Sequence, residues 1–140
     1  MSAESRRLAG ILLILLPTVM FGGVSILRML IGDPSYMQNP LRQDLWRAGH
    51  AHAGVLLVFN LLVLRYVDEA QLSSRAKWFV RHSVPAAAIL LPAAFFLSVL
   101  SPTAEAPNVL IYLAYAGAVL LAAGVLTLGV GLVSRSGDAR

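Results

Sequence analysis

The hydrophobic residues of the chain fall into four long runs, which are separated by shorter polar segments. The runs cover residues 8–31, 49–67, 83–101 and 109–133. A helix of about 20 apolar residues crosses the roughly 30 Å hydrocarbon layer of a membrane, and each run approaches or exceeds that length. The pattern therefore predicts an all-α polytopic membrane protein, with residues 1–140 forming a single membrane domain.

Lys and Arg are unevenly divided between the two sides of the predicted protein. If successive helices alternate in direction, one side carries Arg6, Arg7, Arg65, Arg75, Lys77, Arg81, Arg135 and Arg140, and the other side carries Arg28, Arg42 and Arg47. Basic residues are enriched on the cytoplasmic side of membrane proteins. We therefore predict an antiparallel four-helix bundle with both termini in the cytoplasm, located as a multi-pass protein in the bacterial cytoplasmic (inner) membrane.

Composition narrows the class of protein further. Hydrophobic residues make up 58% of the chain and charged residues 13%, with a mean hydropathy of +0.75, whereas soluble domains are about 45–50% apolar and about 25% charged. The four runs leave no room for a soluble catalytic domain. The absence of cysteine excludes disulfides and thiolate chemistry. The net charge of +4 favours anionic lipid over nucleic acid as the partner.

The second run has a polar and small-residue face. On a helical wheel, Gly49, Ala53, Leu56 and Asn60 fall on one side, and an intramembrane Asn requires a hydrogen-bond partner. This side is therefore predicted to face protein rather than lipid. His50 and His52 flank it and lie about 160° apart on the wheel. A regular helix could not use both as ligands of one metal ion, because paired ligands on a helix are three or four residues apart.

Polar side chains gather at the predicted outer ends of the helices. This candidate site has His50 and His52 as possible ligands of a small molecule or metal, with a supporting polar set of Arg28, Asp44, Arg47, Asn60, Tyr112 and Tyr115. Ionisable groups near membrane spans are costly and mark functional sites. The alternative is ordinary interfacial chemistry, since Arg and Tyr are expected at membrane boundaries.

The fourth run contains a glycine heptad. Gly117, Gly124 and Gly131 recur every seven residues and so lie on one side of the helix. Small residues allow close approach between membrane helices. The interpretation favoured here is packing against a neighbour within the bundle, and a second protomer is the alternative.

The stretch Arg47-Ala48-Gly49-His50-Ala51-His52-Ala53-Gly54 resembles a motif of small bacterial integral membrane proteins of unknown function, with four predicted helices. It has a looser likeness to the H-x-H helices of haem–copper oxidase subunit I relatives. The second resemblance implies His50 and His52 as ligands of haem or copper. The chain departs from that family, which has many more helices and at least six metal-binding histidines, because it has three histidines in all.

Three functions remain open from the sequence. The first is a non-enzymatic membrane protein, such as an accessory or assembly subunit, because no paired carboxylates, nucleophile elbow, P-loop or H-E-x-x-H motif is found. The second is a redox protein that binds haem or a metal ion through His50 and His52. The third is a small-solute or ion transporter or channel that acts as an oligomer, with Asn60 on the pathway. The partners expected are the lipid bilayer and a second copy or larger membrane complex.

Overall fold

The computed structural model describes residues 1–134, which are helical apart from short connections. The elements are α1 (Ala3–Gly32), α2 (Pro34–Met37), α3 (Pro40–Tyr66), α4 (Ser74–Ser98), a 3-10 turn (Val109–Tyr112) and α5 (Leu113–Val133). The turn continues directly into α5, and together they form one apolar segment. This segment, α1, α3 and α4 are each long and apolar enough to cross a membrane. The prediction of an all-helical chain with four such helices is confirmed.

The predicted polar connections at residues 32–48 and 68–82 are wrong over much of their length, because α3 and α4 each begin nine residues before the predicted start. The Asn39 side chain accepts a hydrogen bond from the Arg42 N–H, and Pro40 occupies the first helical position, where its missing N–H costs nothing. The Ser73 hydroxyl accepts from the Ala76 N–H at the start of α4. The hydropathy pattern locates the apolar part of each helix, whereas the capping hydrogen bonds locate the first residue of the helix.

The long helices pack in the order α1, α3, α4, α5. The main helix contacts are α1 with α3, α3 with α4, and α4 with α5, and α3 touches α5 more lightly. In the most apolar 18-residue stretch of each helix, 44% of the α4 residues are buried and 33% of the α3 residues. The share is 11% in the 109–133 segment and zero in α1. The two inner helices therefore form the body of the protein, and α1 lies at its edge.

The apolar core lies where α3, α4 and α5 meet. Its buried members are Val63, Val67, Ala70, Val80, Val84 and Leu128. Val67 and Ala70 directly follow α3, while Val80 and Val84 belong to the first half of α4. The core is thus concentrated toward the connection between α3 and α4.

The glycine heptad of α5 packs against neighbouring elements of the same chain. A Cβ at Gly124 would overlap Oγ of Ser83, and one at Gly117 would lie 2.9 Å from Cγ of Leu91. The third glycine, Gly131, is equally close to Leu72 before α4. The predicted packing against a bundle neighbour is confirmed, because at Gly117 and Gly124 the backbone of α5 lies against α4 with no free space for a Cβ.

Polar contacts join one set of helix ends, which we call the Arg81 end. Arg81 of α4 contacts Glu4 and Ser5 at the start of α1 and Asp68 just after α3. The backbone carbonyl of Gly131, near the end of α5, accepts a hydrogen bond from the backbone N–H of residue 71. Arg135 and Arg140, which entered the orientation prediction, lie outside the described residues.

A second set of contacts defines what we call the Arg42 end. The Asn39 side chain donates to the carbonyls of Pro102 and Ala104 in the segment that follows α4. The Asn108 side chain and backbone N–H donate to the carbonyls of Leu97 and Ser98. The connection before the 3-10 turn is therefore fastened to α3 and α4 by side-chain amides.

Candidate functional site

His50 lies in a notch on α1. A Cβ at Gly23 would be 2.8 Å from Nε2 of His50, and one at Gly22 would be 3.8 Å from Nδ1. The two glycines thus leave the space that the imidazole ring fills. Neither ring nitrogen has a hydrogen-bond partner among residues 1–134. His50 therefore presents an unpaired polar ring at the contact between α1 and α3.

The same ring lines an apolar groove of about 520 Å³ between α1 and α3. The other lining residues are Leu16, Val19, Met20, Gly54, Val55 and Val58. His50 lies three residues, or about 4.5 Å, further along α3 than the charged Arg47. The groove thus has one polar group toward the Arg42 end and apolar walls that continue toward the middle of α3.

His52 lies on another side of α3. Its Nδ1 is 2.8 Å from the backbone carbonyl oxygen of Ala48, and its ring centroid is 5.0 Å from that of Phe95 on α4. It lines a second apolar groove, of about 480 Å³, with residues of α3, α4 and α5 that include Leu56, Leu91 and Leu121. The two histidines of the H-x-H stretch therefore belong to different grooves.

This separation bears on metal binding. The helix α3 is regular through His50 and His52, so the two rings face α1 and α4 respectively. In the described part of the chain, no group of three or more His, Asp or Glu side chains is arranged to hold a metal ion. The third histidine, His82, bonds through Nδ1 to the carbonyl of Trp78 near the Arg81 end.

Asn60 is completely buried. Gly49 and Leu56, on the same face of α3, are buried as well. The predicted orientation of this face toward protein is confirmed for these three residues. The Nδ2 group donates to the carbonyl of Leu56 at 2.8 Å, and the Oδ1 atom has no partner. Because the side chain is inaccessible, Asn60 offers no opening to a solute within one chain in this conformation.

The remaining predicted site residues form separate contacts. Asp44 and Arg47 make an exposed ion pair at 3.6 Å, while Tyr112 and Tyr115 stack on each other with their ring centroids 6.0 Å apart. Arg28 is exposed on α1 and lines a shallow surface cavity near Asp33. These pairs do not contact His50 or His52 through any described hydrogen bond or ring contact. The predicted polar set is thus divided among several places at the Arg42 end.

Sequence reasoning missed a buried cluster of donors formed by Tyr36, Arg42 and Trp46. The guanidinium carbon of Arg42 is 4.8 Å from the ring centroid of Trp46 and 5.9 Å from that of Tyr36. The Trp46 ring also meets Phe96 edge-on at 5.8 Å. The spacing in the sequence could have indicated this cluster, because Arg42 and Trp46 are four residues apart and share a face of a helix that begins at Pro40.

Three donor atoms of this cluster are buried without an acceptor: Tyr36 OH, one terminal Nη of Arg42 and Nε1 of Trp46. Burial raises the pKa of Tyr36, against a smaller opposing effect of Arg47 and Arg42. The Tyr36 hydroxyl therefore stays protonated at neutral pH and remains a donor. Arg42 uses its Nε to donate to the carbonyl of Val99 at 3.2 Å.

The Arg81 end holds a second buried arginine that sequence reasoning missed. Arg81 donates to the carboxylates of Glu4 and Asp68 and to the hydroxyls of Ser2 and Ser5. Burial raises the pKa of Asp68, but hydrogen bonds from the Ser2 backbone N–H and from the side chains of Ser5, Arg81 and Ser2 outweigh that effect. The result is a pKa of about 2, below the usual 3.8. This network is a structural clamp in which donors and acceptors match.

No protein-family model, curated protein or solved structure matches this chain.

Proposed function

We propose that the chain is a non-enzymatic integral membrane protein that binds an amphipathic, membrane-soluble molecule in the groove between α1 and α3. The observation that carries the proposal is the imidazole of His50, which has no hydrogen-bond partner among residues 1–134 and lies beside an apolar groove. The His52 groove on the other side of α3 is a second place where such a molecule fits.

The chemistry of the groove defines the class of ligand. A polar group left without a partner in apolar surroundings costs about 1–3 kcal/mol, so a ligand that supplies the hydrogen bond is favoured. A neutral imidazole offers one donor and one acceptor. The groove of about 520 Å³ is within the usual range for small-molecule sites. The fitting ligand has a carbonyl or hydroxyl head group and an apolar tail.

Photocrosslinking tests this function. A diacylglycerol that carries a diazirine in one acyl chain is incubated with the protein in a maltoside detergent, and labelled peptides are identified by mass spectrometry. We expect labelling concentrated on residues 16–20 and 54–58, and a decrease of about fivefold or more in His50→Leu, since one hydrogen bond of about 1 kcal/mol corresponds to that factor. His82→Leu is the matched control, because His82 is exposed near the Arg81 end.

Two outcomes would overturn this proposal. One is labelling of His50→Leu at the level of the parent protein and with the same distribution. The other is uniform labelling along the exposed surface of α1, which would indicate general contact with the detergent phase.

A haem-binding redox protein is the second candidate, and the hydrogen bond of His52 favours it. When Nδ1 donates to the carbonyl of Ala48, Nε2 is left as a potential iron ligand, an arrangement common for metal-bound histidine. A bound haem would supply electron-transfer chemistry. The test is a visible spectrum of protein purified after haem-replete expression. A Soret band that disappears in His52→Ala but persists in His82→Ala would favour this candidate, and a colourless preparation would remove it.

The proposal also includes the orientation of the protein in the membrane and its binding partners. We propose an antiparallel bundle in the bacterial inner membrane, with the Arg81 end in the cytoplasm and the Arg42 end outside. The support is charge: six described Lys and Arg residues lie toward the Arg81 end and three toward the Arg42 end, and basic residues favour the cytoplasm. The proposed partners are the lipid bilayer and further membrane subunits that cover α1, since none of its apolar stretch is buried.

A further inference from the structure

The charge of Arg42 is buried, and no carboxylate forms an ion pair with it within 4 Å. The residue is 5% exposed. The ion pairs among residues 1–134 involve Arg47, Arg65 and Arg81, and none reaches Arg42. The Asp33 carboxylate interacts with Arg42 at longer range, as the last and smallest of the causes that act on the pKa of Asp33. A buried charge that no counter-charge contacts directly is unfavourable. The aromatic rings of Tyr36 and Trp46 offset part of this cost through cation–π attraction, but they supply no negative charge.

The neighbouring groups add donors rather than acceptors. Tyr36 is 1% exposed, and its hydroxyl, one Nη of Arg42 and Nε1 of Trp46 all lack partners. The ring centroids of Tyr36 and Trp46 are 5.9 Å apart, so the three side chains form one compact group. The Val99 carbonyl is the acceptor that the structure provides there. The unmet requirement of this group is therefore an anion with several oxygen acceptors.

We propose that Arg42, Tyr36 and Trp46 form a binding site for an anionic phosphate group. Phosphate carries negative charge on several oxygens, and the planar fork of arginine is well suited to bind it. Trp is typical of the membrane–water interface, where lipid phosphates lie. The phosphate comes from a lipid head group or from free phosphate, and both present the same oxygens. This inference does not depend on the ligand proposed for the His50 groove.

Access to the site involves α2. The three donor atoms are closed off by surrounding side chains, so phosphate enters by displacing one of them. Tyr36 lies on α2, a four-residue helix that Asp33 caps and that the Gln43 side chain contacts through the carbonyls of Tyr36 and Met37. The proposal requires an outward movement of this single turn, which carries Tyr36 away from Arg42.

Tryptophan fluorescence tests the site directly. The chain has two Trp residues, and Trp78 is 57% exposed near the Arg81 end, so Trp78→Phe leaves Trp46 as the single reporter. Protein in a phosphate-free maltoside detergent is titrated with dioleoyl phosphatidylglycerol, with dioleoylglycerol and with inorganic phosphate. We expect a saturable change with phosphatidylglycerol and none with dioleoylglycerol. A saturable response to inorganic phosphate as well would assign the free ion as a ligand.

Variants in the same background identify the binding group. Arg42→Gln is expected to weaken phosphatidylglycerol binding by about tenfold or more, because charge-assisted hydrogen bonds are lost. Arg75→Gln is the matched control, since Arg75 is exposed in the first turn of α4 near the Arg81 end, and it should bind as the parent does. Circular dichroism and elution volume report whether each variant is folded.

Several results would overturn the phosphate site. One is the absence of a saturable response to either phosphate compound. Another is an equal response to dioleoylglycerol, and a third is unchanged affinity in a folded Arg42→Gln variant. Tighter binding of oleate than of phosphatidylglycerol would replace phosphate by a carboxylate. If Arg42→Gln does not fold, the three ligand titrations of the parent protein still decide the matter, because they require no change at Arg42.

Discussion

At the residue scale, the two buried arginines differ in their partners: carboxylates contact Arg81 directly, and none contacts Arg42 within 4 Å. Arg81 contacts two carboxylates and two hydroxyls, so it fastens α1 to α4 and to the end of α3. Arg42 contacts one backbone carbonyl and two aromatic rings and interacts with the Asp33 carboxylate only at longer range, so its charge remains available for a closer anion. A buried arginine whose partners are all present has a structural role, whereas one with unmet donors points to binding.

The clamp around Arg81 predicts a loss of stability in acid. The pKa of Asp68 is lowered to about 2 from 3.8, so its contribution is fully present above about pH 4 and is lost as the pH falls toward 2. The change in pKa limits this contribution to at most about 2 kcal/mol. We expect the difference in melting temperature between the parent protein and Asp68→Asn to be largest near pH 6 and to shrink between pH 4 and pH 2. Thermal unfolding in an uncharged maltoside detergent measures it.

Asp44→Asn provides the control for this measurement. The Asp44 side chain is 76% exposed in its pair with Arg47, and exposed ion pairs contribute little, so the variant should follow the parent curve. The pKa of Asp33 is also lowered, chiefly by the hydrogen bond from Ser35, but Asp33 is present in all three proteins and cancels in the comparison. An Asp68→Asn difference that stays constant from pH 6 to pH 2 would contradict the assignment.

At the element scale, the contact between α4 and α5 depends on glycine. Gly124→Ala places a methyl group against Oγ of Ser83, well inside van der Waals contact, and 2.8 Å from a methyl carbon of Val84. Overpacking of this kind costs about 1–3 kcal/mol, so we expect a lower melting temperature. Gly129→Ala is the control on the same helix, because nothing lies within 4 Å of the position that its added methyl group would occupy. Equal stability of the two variants would contradict the predicted close packing.

A double variant separates the two clashes at Gly124. The Oγ of Ser83 is buried and has no hydrogen-bond partner, so Ser83→Ala should change stability little. Combined with Gly124→Ala, it removes the shorter of the two clashes and should recover part of the lost stability, while the contact with Val84 remains. Additive effects of the two substitutions would show that α5 moves away from α4 as a unit.

At this scale, the sequence predicts which face of a helix is buried but not where the helix begins. The faces of Asn60 and of the α5 glycines follow from helical periodicity alone, and both were predicted correctly. The starts of α3 and α4 were missed because Asn39 and Ser73 act through local capping bonds, which hydropathy does not register. The clusters around Arg42 and Arg81 were missed because they join residues far apart in the chain, such as Ser5 and Arg81.

At the scale of the whole molecule, the distribution of polar groups distinguishes the two ends. The network around Arg81 pairs its donors with acceptors, with the Oγ of Ser83 as an isolated unpaired atom nearby, whereas the Arg42 end has a cluster of three unpaired buried donors. In the proposed orientation, the cytoplasmic end is the structural one and the outer end is the one that binds. The orientation therefore determines from which side of the membrane a ligand reaches the protein.

Cysteine accessibility tests that orientation, because the natural chain has no cysteine to interfere. Thr103→Cys lies in the exposed segment after α4 and Gln71→Cys in the exposed connection before it. In intact spheroplasts, a membrane-impermeant maleimide should label Thr103→Cys and leave Gln71→Cys unlabelled until the cells are lysed, because the proposed orientation puts the Lys- and Arg-rich Arg81 end in the cytoplasm. The reverse pattern would invert the topology, and labelling of both positions before lysis would contradict a four-span bundle with these connections on opposite sides.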